Sequence, residues 1–431
     1  AEPGEGNRMN KSVLVVAASL IVGCGYSKAP ETPQAAAVLR VGAVNLGLNA
    51  NQPNVRERQD LFLSTAPGST RSNLVEAVTD FDVMCTNEMY TWSEEDSFVA
   101  LVEDMNLVFP HQVKGWASSD TSGCGCDAAA WDTYVEPYRA CVREDPQRDL
   151  LTCFNAPITQ MGHNDPQWSP WRCTRCLTST VLETFIDYRK PLEEQQAIID
   201  EMDFSACRTD PEPIQCPNVN GKAGVALHSR FPITRTDTLQ FPFSWSSTRG
   251  VIYAEIEHPT GPVHAFCTHI AESGTAKFSY PGYEHLTGSE DENAQHIRWS
   301  LEFIEALNIP DDESILFLGD INVGPGGGDR YTEDFPENYG LFEEAGFIST
   351  VHADGGPCTE CSDNPLVVAQ YAQWGNPPVD NMSTHIFLKN GPWTVKPGSS
   401  GNFLTEDVTL RSGEVTKWSD KYGMRVDLVI E

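Results

Sequence analysis

The sequence predicts a layered α/β fold, and three features carry the prediction. Short apolar runs bounded by Gly or by polar residues, such as Ser314–Asn322 (SILFLGDIN), read as buried strands. Val251–His269 reads as a hairpin. Glu290–Leu307 reads as an amphipathic helix, with Ala294, Ile297, Leu301 and Ile304 as its apolar stripe. Strands that are apolar on both faces must be covered by helices packed outside them.

The elements follow in order. Val38–Asn45 is a strand ending in Asn, and Phe81–Glu88 is a strand ending in Glu. Gly224–Ile233 is a strand running into a turn, and Trp418–Gly423 precedes a last strand, Met424–Ile430. Asn73–Thr79 and Glu94–Glu103 read as short helices. Ser289 is placed to cap the Glu290–Leu307 helix, whose first turn is acidic. No internal repeat interrupts this order.

The chain has 431 residues, enough for one large domain or two ordinary ones, and 40% of them are hydrophobic. Its formal charge is 29 − 61 = −32. Such a surface repels polyanions and argues against general nucleic-acid binding. It does not exclude a nuclease, because a bound cation reverses the local field. Met9–Lys11 and the apolar Ser12–Val22 have the form of an export signal too short to span a bilayer. Ile21–Cys24 (IVGC) resembles a bacterial lipobox, which implies lipidation of Cys24. The expected organisation is a leader over 1–24, a Pro/Ala-rich tether over 25–37 and a domain over 38–431. The expected location is extracytoplasmic, on a bacterial outer membrane or cell surface.

Beyond Cys24 there are twelve cysteines, an even number suited to disulfides in an oxidising compartment. Eight fall between Cys124 and Cys216, inside an irregular segment at about 111–219 that reads as a disulfide-rich insertion with one helical pattern, Leu192–Met202. It suits either a substrate-selecting lid, a surface elaboration or an adhesion module. The pairs Cys173/Cys176 and Cys358/Cys361 have zinc-ligand form, but their separation does not fit an ordinary ribbon, and disulfides are preferred.

Asp320 and Asn322 stand two apart at the end of their strand, so both side chains leave the same side of the pleat. A carboxylate and an amide so placed can hold a divalent metal and a phosphate oxygen together. With Asn45, Glu88, Thr268-His269 and Ser419-Asp420, this ordered set resembles the endonuclease/exonuclease/phosphatase superfamily of metal-dependent phosphodiesterases, over about residues 38–110 and 218–431. The resemblance implies a four-layer α/β sandwich, two packed mixed β-sheets flanked by helices, with a Cys-rich insertion. It also implies an exported hydrolase of phosphate esters that uses Mg²⁺, with Mn²⁺ as an alternative.

By the same resemblance, Glu88 is the main metal carboxylate, with Asn45 and Asp420 beside it. His269, Asp320, Asn322, Asp420 and Lys421 form the catalytic set, and Asn45, Arg249, His269 and Asn322 bind phosphate. The family's last motif normally reads Ser-Asp-His, but here it is Ser419-Asp420-Lys421. The carboxylate that orients that imidazole is replaced by Thr384, unless a shifted alignment uses Asp380. A protonated lysine cannot accept a proton from water, although it can stabilise phosphate or a leaving oxygen. The expectation is a slow or unusual phosphodiesterase, or else a metal- and phosphate-binding surface protein. Gly324–Asp329 is Gly-rich without a P-loop lysine, so it reads as a surface loop rather than a nucleotide site. Phe241–Trp245 (FPFSW) suits core packing, or an apolar membrane or base contact. Candidate substrates are a nucleic acid, a phospholipid headgroup or a small phosphodiester. The candidate membrane partner is reached through the lipid anchor, and no protein partner is inferred.

Overall fold

The computed structural model describes residues 37–48, 54–89, 97–115, 224–242, 249–272, 285–326, 335–351, 356–373 and 377–430, with isolated residues between 126 and 208 and at 244 and 283. The leader, the tether, Cys24, most of the insertion and all of Leu192–Met202 but Glu194 and Ala197, which are helical, lie outside the described residues, as do Gly327–Asp329 of the Gly-rich loop. Ala37–Glu431 forms one compact unit. Among the described residues no helix is long and apolar enough to cross a membrane.

The chain opens with strand β1 (Val38–Asn45), helices α1 (Val55–Leu63) and α2 (Asn73–Val78), β2 (Val83–Asn87), α3 (Ser97–Met105) and β3 (His111–Lys114). After the insertion come β4 (Ala226–Ser229), β5 (Ile233–Gln240), β6 (Gly250–His258) and β7 (Gly261–His269), followed by α4 (Ser289–Ala306) and β8 (Ser314–Asp320). The remainder holds α5 (Pro336–Glu344), β9 (Ile348–Ser349), α6 (Pro365–Gln373) and β10 (Thr384–Lys389). Four short strands, β11 (Thr394–Val395), β12 (Gly401–Phe403), β13 (Asp407–Thr409) and β14 (Val415–Lys417), lead to β15 (Gly423–Val429).

Among the described residues two large mixed sheets result, beside the two-stranded β13-β14. One runs β11-β15-β1-β2-β4-β3, with β12 also on β15; the other runs β5-β6-β7-β8-β10-β9. Alternate side chains of the central strands meet between the sheets, including Val41, Ala43 and Leu227 from the first and Ala254, Leu316 and Ile386 from the second. The opposite face of the first sheet buries Val44, Met84 and Ala226 with Phe62, Leu74 and Leu101 of α1, α2 and α3. That of the second buries Tyr253, Phe266 and Phe317 with Ile297 and Ile304 of α4 and Phe342 of α5. This is the expected sandwich of two sheets between helices, and burial of the central strands on both faces explains why their runs lack a polar side.

Two local details differ from the sequence reading. His111–Lys114, assigned to the insertion, is an edge strand paired with β4, so the first sheet extends into that segment. Ser289 does not cap α4; it lies inside the helix, and Asp291 Oδ2 instead accepts the N–H and hydroxyl of Thr287 at 2.7 and 2.8 Å. As the sequence reading preferred, Cys358 and Cys361 form a disulfide, which leaves neither a thiolate for zinc. Phe241 is buried and stacks on His296 with ring centroids 4.2 Å apart, which is the core-packing outcome for that residue.

A second disulfide, Cys85–Cys267, ties the middle of β2 to β7 across the space between the sheets. It closes a sequence separation of 182 residues. Replacing both cysteines by Ala should destabilise the domain by about 2–5 kcal/mol in chemical unfolding, because the unfolded chain regains freedom. An unchanged unfolding midpoint and slope would show that hydrophobic packing alone joins the sheets.

His228 on β4 is buried, with Nε2 2.9 Å from Thr86 Oγ1. Burial, helped by the Lys114 charge, lowers its pKa from 6.5 to about 3. Below 6.5 the unfolded chain takes up a proton that the folded chain refuses. Stability from this group is therefore complete above 6.5 and is lost as pH falls toward 3, by ~1.4 kcal/mol per pH unit. Between pH 7 and pH 5 the parent should lose about 2 kcal/mol more than His228→Gln. Equal acid losses in unfolding titrations would remove His228 from the account.

Candidate active site

The site lies where strand ends converge. β1 and β2 are parallel, as are β7 and β8. Their C-terminal ends carry Asn45, Asn87 followed by Glu88, His269 and Asp320. β10 starts there with Thr384, in register with Asp320. Asp420 and Lys421 arrive just ahead of β15.

Asp320 is the fully buried centre of this group. Its Oδ2 accepts the Asn45 amide at 2.7 Å and lies 2.9 Å from Lys421 Nζ. Its backbone N–H donates to Asn87 Oδ1 at 2.8 Å, while Asn87 Nδ2 donates to Thr268 O at 2.9 Å. Burial by itself would raise the carboxyl pKa, but the Lys421 charge, with His269 and two hydrogen bonds, holds it well below the usual carboxylate range. Close approach of β8 to β7 just before Asp320 requires Gly319. Its φ is +132°, and a Cβ there would sit 2.0 Å from Thr268 O.

Glu88 adopts a left-handed backbone with φ 52°, unusual for Glu and a cost of roughly 1–3 kcal/mol at a functional site. Burial, then repulsion from Asp420, raises its pKa from 4.5 to about 7. His269 Nε2 lies 3.7 Å from Glu88 and 3.6 Å from Asp320. Burial and the nearby Arg249 charge keep the imidazole neutral, with its pKa well below 6.5. Glu88, His269 and Asp320 each offer one ligand atom within 4.8 Å of the others. Asp320 Oδ1 is buried without a hydrogen-bond partner, and two of the three donors are carboxylates. This donor set fits a divalent cation.

Lys421 is buried and engaged by Asp320, by Asn322 Oδ1 at 3.0 Å and by Glu360 Oε2 at 3.7 Å. Burial alone would lower its pKa; attraction to Asp320, Glu360 and Asp420 outweighs this and raises it. The ammonium is therefore charged throughout the neutral range and is no proton acceptor. Asp380, the shifted candidate for the orienting carboxylate, instead accepts the Ser362 N–H at 2.7 Å. Thr384 Oγ1 is buried with no partner.

Other expected residues have partners within the protein. Asn45 Oδ1 accepts the Gly47 N–H at 2.8 Å, and its amide nitrogen serves Asp320 and Glu88, so Asn45 orients both carboxylates. Asn322 also has a positive φ, 53°; one of its N–H groups goes to Ile270 O at 3.0 Å and its oxygen goes to Lys421. Arg249 pairs with Glu272 at 2.7 Å while remaining close enough to depress His269. Asp420 accepts the Ser419 hydroxyl at 3.1 Å and lies outside the three-residue cluster. Gly47 makes room for it, since a Cβ there would come within 2.3 Å of Asp420 Oδ1.

Four supporting residues escaped the sequence reading. Arg58 of α1 is fully buried and donates to Gly47 O at 2.6 Å and Trp418 O at 3.0 Å. Burial lowers its pKa to about 10 against the pull of Asp420 and Glu88, so it remains a cation behind both. Asn293 of α4 donates to Ala271 O and Ile321 O at 2.8 and 3.1 Å, fixing the turns after β7 and β8. Asn364 donates to Ser419 O at 2.8 Å and holds the Asp420 turn. Asn87 sits beside Glu88, and its alternation in the pleat was the available signal.

No curated protein sequence matches the chain. Among solved structures it is similar to SmcL, at 16% identity and TM-score 0.50, covering 91% of this chain and 99% of that one. Sphingomyelinase C from Streptomyces griseocarneus shares 16% identity at TM-score 0.48, with 92% and 100% covered. Beta toxin from Staphylococcus aureus shares 15% at TM-score 0.48, with 90% and 99% covered. At these identities SmcL speaks to the fold alone. The sequence model described as the Endonuclease/Exonuclease/phosphatase family matches residues 49–375, most of the chain. The chain therefore belongs to the endonuclease/exonuclease/phosphatase family.

Proposed function

We propose that the chain hydrolyses phosphate esters with the help of Mg²⁺ or Mn²⁺, by attack of water on phosphorus. The observation that carries this reading is the clustering of Glu88, His269 and Asp320 beside the Lys421 ammonium. A divalent cation bound there would neutralise phosphoryl charge and make water more acidic. Asp320, ionised and with Oδ1 unpartnered, orients the attacking water. Neutral His269 donates a ring N–H to a phosphoryl oxygen. Lys421 stabilises phosphoryl charge or donates to the leaving oxygen. Arg249, behind His269, adds positive potential for phosphate, and Asp420 contributes a second carboxylate on the Glu88 side.

We also place the protein outside the cytoplasm, on a lipid attached to Cys24. The leader-like segment and the disulfides Cys85–Cys267 and Cys358–Cys361 support this part of the reading. The charge of −32 disfavours long duplex DNA, and an anchor would bring phospholipid headgroups within reach. A second reading, a metal- and phosphate-binding surface protein, is favoured by one observation: Lys421 occupies Asp320 at 2.9 Å where an imidazole was expected.

Hydrolysis by residues 38–431 should be measured on DNA, RNA, sphingomyelin and a chromogenic phosphodiester, with Mg²⁺ or Mn²⁺. Turnover is expected in the parent, should vanish with chelator and should fall at least about 100-fold in Asp320→Asn. Lack of turnover with Mn²⁺ binding intact would select the binding-protein reading; loss of both would defeat each.

Lys421→His tests the missing imidazole. It should raise the metal-dependent rate by roughly 10²-fold, the lower range for a positioned general base. A rate no higher than the parent's would mean that the lysine, rather than its lack of basicity, is what this site requires.

A further inference from the structure

The segment ahead of α6 approaches the site through a small covalent ring. Cys358 and Cys361 are joined with their Cα atoms 5.4 Å apart. Thr359 and Glu360 between them are both buried. Thr359 Oγ1 accepts the N–H groups of Ser383 at 2.9 Å and Thr384 at 3.2 Å, where β10 begins. Thr359 O accepts the Tyr422 N–H at 2.6 Å, directly after Lys421. Glu360 and Asn381 exchange backbone hydrogen bonds at 3.0 and 2.8 Å. The ring is thus docked on both chain segments that border Lys421, and Glu360 Oε2 reaches within 3.7 Å of Nζ.

We propose that Glu360 is the positioning carboxylate of Lys421, and that the Cys358–Cys361 disulfide holds it in place. The proposal rests on the reading of Lys421 as the cation that faces phosphate. Strand β10 supplies no carboxylate for this duty, since Thr384 stands where one was expected. A lysine ammonium on four rotatable bonds needs more than one fixed partner to keep its direction. Asp320 and Asn322 provide two contacts from the β8 end, and Glu360 adds one from a separate segment. A free loop of this length would lose that carboxylate readily. The disulfide and the Thr359 hydrogen bonds remove the loop's freedom before Lys421 is engaged.

The test reads the lysine itself. The domain over 38–431 would be exposed to trace acetic anhydride, and acylation of Lys421 would be quantified by mass spectrometry against exposed Lys396. Parent, Glu360→Gln, Glu360→Asp and the double variant Cys358→Ser/Cys361→Ser would be compared. Glu360→Gln and the double Ser variant should each raise Lys421 labelling about tenfold, the scale of one lost charge-assisted contact, with Lys396 unchanged. Glu360→Asp should recover much of the protection. A general loosening of the fold would raise labelling of the largely covered Lys417 as well, and so would count against a positioning role. Unchanged Lys421 labelling in Glu360→Gln would overturn the proposal. A rise in Glu360→Gln without one in the double Ser variant would overturn the part given to the disulfide. Phosphodiester hydrolysis in the same samples is separate: an inactive parent would defeat the phosphoesterase reading and leave the labelling result standing.

Discussion

A single buried carboxylate organises this end of the molecule. Asp320 comes from the second sheet, fully removed from solvent, and an isolated ionised carboxylate cannot remain there. Its neighbours answer that constraint one by one. Asn45 crosses from the first sheet to bind Oδ2, Asn87 crosses to bind its backbone N–H, and Lys421 supplies the charge. Gly319 gives β8 the backbone conformation and the clearance to approach Thr268. Asn322 then holds Lys421 in turn. Removing one member leaves another buried polar group unsatisfied, so the cluster acts as a unit in stability as well as in chemistry.

The space between the sheets consequently has two kinds of adhesive. Its interior is apolar and crossed by Cys85–Cys267. Its end is polar, with directional bonds carried by Asn45 and Asn87. Hydrophobic packing resists separation but is weakly directional, whereas the hydrogen bonds specify how the strand ends face each other. The disulfide lies two residues before both Asn87 and His269, close enough to fix the β2–β7 spacing that the polar groups require. Behind them, Arg58 and Asn364 restrain the loops that bring Asp420 and Lys421, which belong to no sheet at that point.

What could be read in the sequence follows from what is local. Glu88, His269 and Asp320 each end an apolar run, so strand boundaries and chemistry announce themselves together. The layered fold was legible for the same reason, because two-sided burial leaves a direct mark on composition. Glu360 left no such mark: within Cys-Thr-Glu-Cys it has neither periodicity nor an apolar frame, and its partner lies far along the chain. Arg58, in the sequence VRERQDLFL, looks like one more exposed charge on a helix until the Gly47 and Trp418 carbonyls close around it. Asn45 and Asn322 show the limit of such reading: an amide at a strand end can serve a ligand or a neighbour equally well, and only the folded chain reveals their contacts to Asp320 and Lys421. Ser289 failed as a cap because the helix begins one residue earlier, with Gly288 at the cap position and Ser289 already inside it.

Lysine in place of histidine changes more than one proton transfer. An imidazole near its pKa can take a proton in one step and return it in the next, but an ammonium between carboxylates has a fixed charge. Fixed positive charge favours an anionic phosphate before, during and after reaction, so much of its benefit is uniform binding rather than selective stabilisation of the transition state. It becomes selective only if its direction matches the oxygen on which charge grows. Geometry therefore matters more for Lys421 than it would for a histidine, whose rigid ring brings its own orientation. A long, flexible side chain in this position requires restraint from outside itself. The Asp320, Asn322 and Glu360 contacts meet that need, drawn from two segments that the fold brings to Lys421.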